Sequence, residues 1–268
     1  MESSSEEGIL ISQLLDDEIV WEKKFEIAQK IKNKENIELG ILRCLEPEIR
    51  LVLLEKTNDR KLLEKVVRTD EDPLIRQRAL NMLPNSYHEL FIDLIKEDTS
   101  EYVRGDALKK LPAMYQDLFL EVLVKEEEFR VRKLARDKLR LTNLSEDKLT
   151  KLAIDAWDNI VRLAAIRYIK EDENLYKAAL HSGDYRVGES ALEEIQDEEI
   201  LMKISLEAEF AHVRAKSAMR ISDQNFLAEL FKKDESRFVR EVCIDKISNI
   251  EILASLRMIA PTVLQKEI

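Results

Sequence analysis

Seven arginines recur along this chain at nearly constant spacing, at Arg50, Arg76, Arg104, Arg132, Arg162, Arg214 and Arg240, with Gly188 standing where a further one belongs. The intervals between these slots are 26, 28, 28, 30, 26, 26 and 26 residues. A row of guanidinium groups has a definite chemistry, because each is a planar fork of donors that fits a carboxylate or phosphate bidentately. An open row would bind an anionic partner. A row beside a buried stripe would instead run its stems along the core and pair with acidic residues at helix starts, such as Asp72, Asp158 or Asp184. The chain carries 54 acidic and 43 basic residues, a net charge of −11, so as a whole it repels phosphate backbones and anionic membranes. The seven arginines are therefore expected to form a structural ladder.

Other chemistry is sparse. His88, His181 and His212 are far apart, and neither H-E-x-x-H nor C-x-x-C occurs, so no metal site and no cofactor are expected. The five glycines are scattered and build no phosphate loop. Nothing singles out Cys44 as a nucleophile, and Cys44 and Cys243 lie near opposite ends of the chain, which argues against a disulfide and for a cytoplasmic location. Carboxylate pairs such as Asp16-Asp17 carry no signal in a chain that is 36% charged. The run from Glu126 to Lys133, continuing to Arg136, Lys138 and Arg140, reads as a helix with acids at its start and bases beyond, as the macrodipole favours.

The elements that position the arginines are legible from the same register. One residue before each slot stand Ile49, Ile75, Val103, Val131, Val161, Val187, Val213 and Val239. Three after it come Leu53, Ala79, Ala107, Ala135, Ala165, Ala191, Ser217 and Cys243, and seven after it Thr57, Leu83, Leu111, Leu139, Ile169, Ile195, Ile221 and Ile247. Steps of four residues place these three positions on one helical stripe, and the small middle residue admits a close neighbour. Four residues before the slot, Asp72, Ser100, Asp158, Asp184 and Ser236 are expected N-caps, while Glu46 and Glu128 supply a charge that suits the dipole and Phe210 is an exception. Pro47 and Pro73 fit first helical positions, and Pro84 and Pro112 fit just past helix ends. Between these helices lie second apolar-periodic segments, with cores at Leu62 to Val67, Leu90 to Ile95, Leu118 to Val124, Leu175 to Leu180, Ile200 to Leu206 and Phe226 to Phe231. Strand signals are absent, so the fold class is all-α.

The phrase Val103-Arg104, Ala107, Leu108, Leu111, and its copy Ile75-Arg76, Ala79, Leu80, Leu83, resembles the second helix of HEAT-like repeats. The resemblance covers roughly residues 34 to 248. It implies an alpha-alpha superhelix of about nine helix pairs, capped by the charged helix around Trp21 and by the segment Ile250 to Ile259. Residues 1–8, acidic and polar, are expected to be a disordered tail, and residues 9–268 one continuous solenoid domain. The period is short for HEAT, so leucine-rich-repeat variants are structural neighbours.

Such solenoids act as scaffolds and adaptors, and some as enzymes or lyase subunits, DNA glycosylases among them. The glycosylase activity needs a basic groove with aromatics and a catalytic carboxylate. Trp157-Asp158 offers an aromatic and an acid, but Asp158 sits at a cap slot, and the overall acidity disfavours DNA. We expect a non-enzymatic cytoplasmic scaffold, with an enzyme or lyase subunit using the same groove as the alternative.

Positions two before, one after and five after each slot lie opposite the packing stripe, on the face that the resemblance makes concave. In the middle of the chain they hold Tyr102, Lys109, Arg130, Lys133 and Arg167, a locally basic strip within an acidic protein. These five residues are the expected partner-binding positions, and the expected partner is a protein or peptide segment, acidic or amphipathic. Neither nucleic acid nor a membrane is expected.

Overall fold

The computed structural model describes residues 2–256. Residues 257–259, the end of the expected C-terminal cap, lie outside the described residues. The described part is helical throughout, with no strand. It groups into two compact units, one of Met1–Leu118 with Glu128–Asp137 and the other of Phe119–Glu127 with Lys138–Ile268.

In the first unit, α1 (Glu2–Leu14) includes most of the stretch expected to be a disordered tail. Glu7 on this helix accepts the backbone N–H groups of Lys32 and Asn33 at 3.0 and 3.3 Å. Then follow α2 (Trp21–Lys30), α3 (Lys34–Arg43), α4 (Pro47–Leu54), α5 (Arg60–Thr69), α6 (Pro73–Met82), α7 (His88–Glu97) and α8 (Glu101–Lys110). Consecutive helices pack as hairpins, α3 on α4, α5 on α6 and α7 on α8. The hairpins stack through their even helices, α2 on α4, α4 on α6 and α6 on α8. α9 (Gln116–Lys125) is divided between the units at Leu118, and all of α10 (Phe129–Lys138) except Lys138 belongs to the first.

After its part of α9 the second unit has a 3-10 turn at Leu141–Asn143, which lies in the longest interval of the register. It continues with α11 (Glu146–Asp155), α12 (Asn159–Ile166), α13 (Asp172–His181), α14 (Tyr185–Glu194), α15 (Glu198–Glu207), α16 (Ala211–Ala218), α17 (Gln224–Lys233) and α18 (Arg237–Lys246). The same two patterns recur. α11/α12, α13/α14, α15/α16 and α17/α18 are hairpins, and both the odd and the even helices stack on their counterparts two elements away. Helical residues 250–256 follow.

Every slot falls on an even helix from α4 to α18. The stripe beside it is buried throughout, from Ile49, Leu53 and Thr57 to Val239, Cys243 and Ile247. Burying a branched aliphatic side chain contributes roughly 1.5–3 kcal/mol, and the mostly small middle position of the stripe admits the close approach of a neighbouring helix. Ser217 is tolerated there because its hydroxyl donates to the Leu201 carbonyl at 2.6 Å.

Helix starts follow local chemistry with two differences. Asp72, Asp158 and Asp184 cap through their carboxylates, accepting from Leu74, Ile160 and Arg186 N–H. Ser100 and Ser236 occupy the N-cap position without a side-chain cap bond. Phe210, also at an N-cap, lies edge-on to Tyr185 with ring centroids 6.3 Å apart. Gly183, between α13 and α14, takes φ +65°, a left-handed turn that favours glycine.

Candidate functional site

The arginines turn inward. Arg50 donates from Nε and Nη2 to the two carboxylate oxygens of Asp70 at 3.0 and 2.8 Å, and from Nη1 to the carbonyls of Cys44 and Leu45 at 3.0 and 2.9 Å. Arg76 repeats this with Asp98, at 2.8 and 2.7 Å, and with the carbonyls of Asp70 and Glu71. In the second unit Arg214 does the same with Asp234, at 2.7 and 3.1 Å, and with the carbonyls of Ala208 and Glu209. The carboxylates stand six residues before the next slot, two residues ahead of the cap position that the sequence pointed to. Each of these aspartates also accepts the N–H of that next cap residue, Asp72, Ser100 or Ser236, at 2.8–2.9 Å. Its own carbonyl accepts Nη1 of the next slot's arginine, Arg76, Arg104 or Arg240.

Where the residue six before the next slot is not acidic, the geometry changes. Arg162 donates to the carbonyls of Ala156 and Ser182. The next slot holds Gly188, where a Cβ would meet Val213 Cγ2 at 2.9 Å and the Ala179 carbonyl at 3.3 Å. Arg132 occupies the same register on α10.

Two further inter-repeat registers accompany the arginines. Six residues after a slot, Lys56 donates to the carbonyls of Ala28, Gln29 and Ile31 at the end of α2. Lys110 does so to Asn81 and Leu83 at the end of α6, and Arg220 to Leu192 and Ile195 at the end of α14. These cations satisfy the orphan carbonyls of a neighbouring helix end. At the first position of the odd helices, Glu146 accepts Lys170 N–H, Asp172 accepts Gln196 and Asp197, Glu198 accepts Ser222 and Asp223, and Gln224 accepts Ser248 and Asn249. Each reaches the approach to a later helix start.

Four of the five expected contact residues lie in the first unit. Tyr102 on α8 and Arg130 on α10 are both exposed, and the Arg130 guanidinium stands 4.7 Å from the Tyr102 ring centroid. A cation over an aromatic face is attracted by the ring quadrupole. Gly105, one turn on from Tyr102, lies under α10, where a Cβ would stand 3.3 Å from Leu134 Cδ1. Lys133 is exposed one turn after Arg130. Lys109 is half exposed and engaged, with Nζ 2.7 Å from Asp106. Asp106 also accepts Gln77 at 2.5 Å and Asn81 at 3.2 Å. Burial alone would raise the Asp106 carboxyl, but the hydrogen bonds from Lys109, Gln77 and Asn81 outweigh it and hold the group below its ordinary range. Arg167 is exposed at the C-cap of α12, in the second unit.

A buried polar cluster lies elsewhere in the first unit. Lys24, 1% exposed, pairs with Glu46 at 2.8 Å, and Cys44 Sγ lies 3.1 Å from the other Glu46 oxygen. Burial pushes the Cys44 thiol up to about 11 and the Cys243 thiol up to about 12, so both stay protonated at neutral pH. Among the described residues no group of His, Cys, Asp and Glu is arranged to hold a metal. No helix among them is long and apolar enough to cross a membrane. Trp157 is exposed, while the Asp158 carboxylate accepts Ile160 N–H as a cap. Comparison with protein-family models and with curated proteins finds no match for this chain.

Proposed function

We propose that the protein is a non-enzymatic cytoplasmic scaffold of the HEAT-like kind, an α-solenoid of about nine helix pairs. In this reading it holds an acidic or amphipathic segment of another protein on the exposed face of α8 and α10. The observation that carries it is the Tyr102–Arg130 stack at 4.7 Å, an aromatic and a guanidinium presented together on adjacent helices with Lys133 beside them. A guanidinium already seated on a ring keeps donors at its edge for a carboxylate, and the ring offers an apolar contact to the same ligand. Lys109 adds positive charge partly offset by Asp106, and Arg167 is a separate cationic contact in the second unit.

The test is binding of a labelled peptide alternating Glu and Leu. Wild-type protein binds it, Arg130→Glu with Lys133→Glu weakens it by roughly tenfold or more, and added salt weakens it further. Binding that is indifferent to both substitutions removes the reading.

A further inference from the structure

The second unit carries a different exposed surface on its own slot helices. Tyr185 on α14, His212 on α16 and Phe238 on α18 are all exposed and form a continuous aromatic row, with ring centroids 6.4 Å apart from Tyr185 to His212 and 5.2 Å from His212 to Phe238. Exposed aromatic side chains that neighbour one another across three stacked even helices keep apolar faces towards solvent. Two helical turns further along the same faces stand Glu193, Met219 and Asp245, also exposed. Between the rows lie Glu189, the buried Ala215 and Glu241, so a small residue at the centre separates aromatic rings from carboxylates.

The charges on this face are unequal. Glu189 is paired with Lys216 and Glu241 with Arg237, at 2.8 and 2.7 Å. Glu193 and Asp245 form no ion pair among the described residues. The face thus offers uncompensated carboxylates on one side of Met219 and on the other, and ring faces two turns away. Aromatic faces attract ammonium and guanidinium groups, as carboxylates do, and an exposed thioether accommodates varied apolar side chains.

We propose that this face of α14, α16 and α18 is a docking surface for a basic amphipathic peptide segment of another protein. Lys or Arg side chains of the segment lie against the aromatic row and the Glu193 and Asp245 carboxylates, and its apolar side chains lie on Met219 and the Phe238 ring. The net charge of −11 steers a cationic ligand towards the protein. The inference stands apart from the α8 and α10 strip, whose ligand has the opposite charge.

The experiment uses the full chain and a labelled peptide alternating Arg and Leu, with a Glu and Leu peptide as comparison, followed by fluorescence anisotropy at low and raised salt. The Arg peptide is expected to bind and to weaken by roughly tenfold or more in Glu193→Lys with Asp245→Lys, and in Tyr185→Ser with Phe238→Ser. All four residues are exposed, and an unchanged thermal midpoint shows that each variant folds. Binding of the Arg peptide that survives both double variants overturns the proposal. So does a concentration-dependent dimer by light scattering that the same variants abolish, since the occupant would then be a second copy. Arg130→Glu with Lys133→Glu leaves Arg-peptide binding intact, so loss of either surface is read separately.

Discussion

Asp98 is gripped by two arginines at once: its carboxylate receives the fork of Arg76, 22 residues earlier, and its carbonyl receives Nη1 of Arg104, six residues later. The side chains of Arg76 and Asp98 are 10% and 4% exposed, so the pair is a desolvated one that relies on its full set of hydrogen bonds. Arg76→Ala strands the Asp98 charge and is expected to cost about 3 kcal/mol in urea unfolding followed by circular dichroism. Arg76→Lys restores the charge but not the fork, and should recover only part of that loss. An Ala variant as stable as wild type would show that the ladder is incidental.

Gly188 interrupts the arginine series, and restoring the repeated residue there should do harm. With Val213 Cγ2 2.9 Å from a built Cβ and the Ala179 carbonyl at 3.3 Å, Gly188→Arg forces α14 away from its neighbours. A loss of about 1–3 kcal/mol is expected from overpacking. A gain in thermal midpoint would contradict this account of the gap.

Asp106→Asn replaces an acceptor of three donors by a group that brings donors of its own, and is expected to destabilise by about 1–3 kcal/mol at neutral pH. The carboxyl is held below its ordinary range by Lys109, Gln77 and Asn81 against the effect of burial. Its stabilising contribution is therefore complete above the unfolded value of about 4 and lost as pH falls through the lower folded value. Urea titrations of both proteins should converge on the acid side of that window and stay parallel above it.

The thiols offer a chemical check. With Cys44 at about 11 and Cys243 at about 12, both beneath the surface, alkylation by iodoacetamide at pH 8 should be slow in the folded protein and fast in urea. Rapid labelling of the native protein would show that either cysteine is open to solvent.

Glu198→Ala removes the acceptor for the Ser222 and Asp223 amides. Those two amides should exchange with solvent faster, and the thermal midpoint should fall. Amide protection unchanged at both positions would sink the assignment.

The even helices were legible because everything that builds them is local. The stripe through Ile75, Ala79 and Leu83 repeats with the helical period, and Pro47 and Pro73 mark starts by their own geometry. The second segments were legible for the same reason, apart from α3, where Ile37 and Ile41 are buried, and α11, where Leu149, Leu152 and Ala153 are buried, both on helices otherwise dominated by charge. The arginine partners were only half legible. Asp70, Asp98 and Asp234 hold a fixed offset in the repeat, but the groups they join lie on different hairpins, and a single helix's period carries no information about its neighbour. The roles of Lys56, Lys110 and Arg220 were not legible, because a cation after a helix end is ordinary surface charge unless the neighbouring helix brings carbonyls to it. The division of α9 at Leu118 has no compositional mark, since no glycine- or proline-rich linker accompanies it. Of the expected contact strip, the exposure of Tyr102, Arg130 and Lys133 followed from helical offsets, whereas the bond from Lys109 to Asp106 depends on packing around Gln77 and Asn81.

The bonds between hairpins also set a rule for how this chain can change length. Arg76 reaches forward to the following hairpin, Lys110 reaches back to the preceding helix end, and Asp172 reaches forward to the start of α15. A cut at the same point in two hairpins that both carry the arginine and its aspartate lets the ends be rejoined with the forward and backward bonds remade. A cut at unlike points leaves a guanidinium, a lysine or a helix start with no counterpart. Growth and loss by whole hairpins is thus the inexpensive route for such a sequence, and an insertion of a few residues is tolerated best in the connections, as in the Leu141–Asn143 turn.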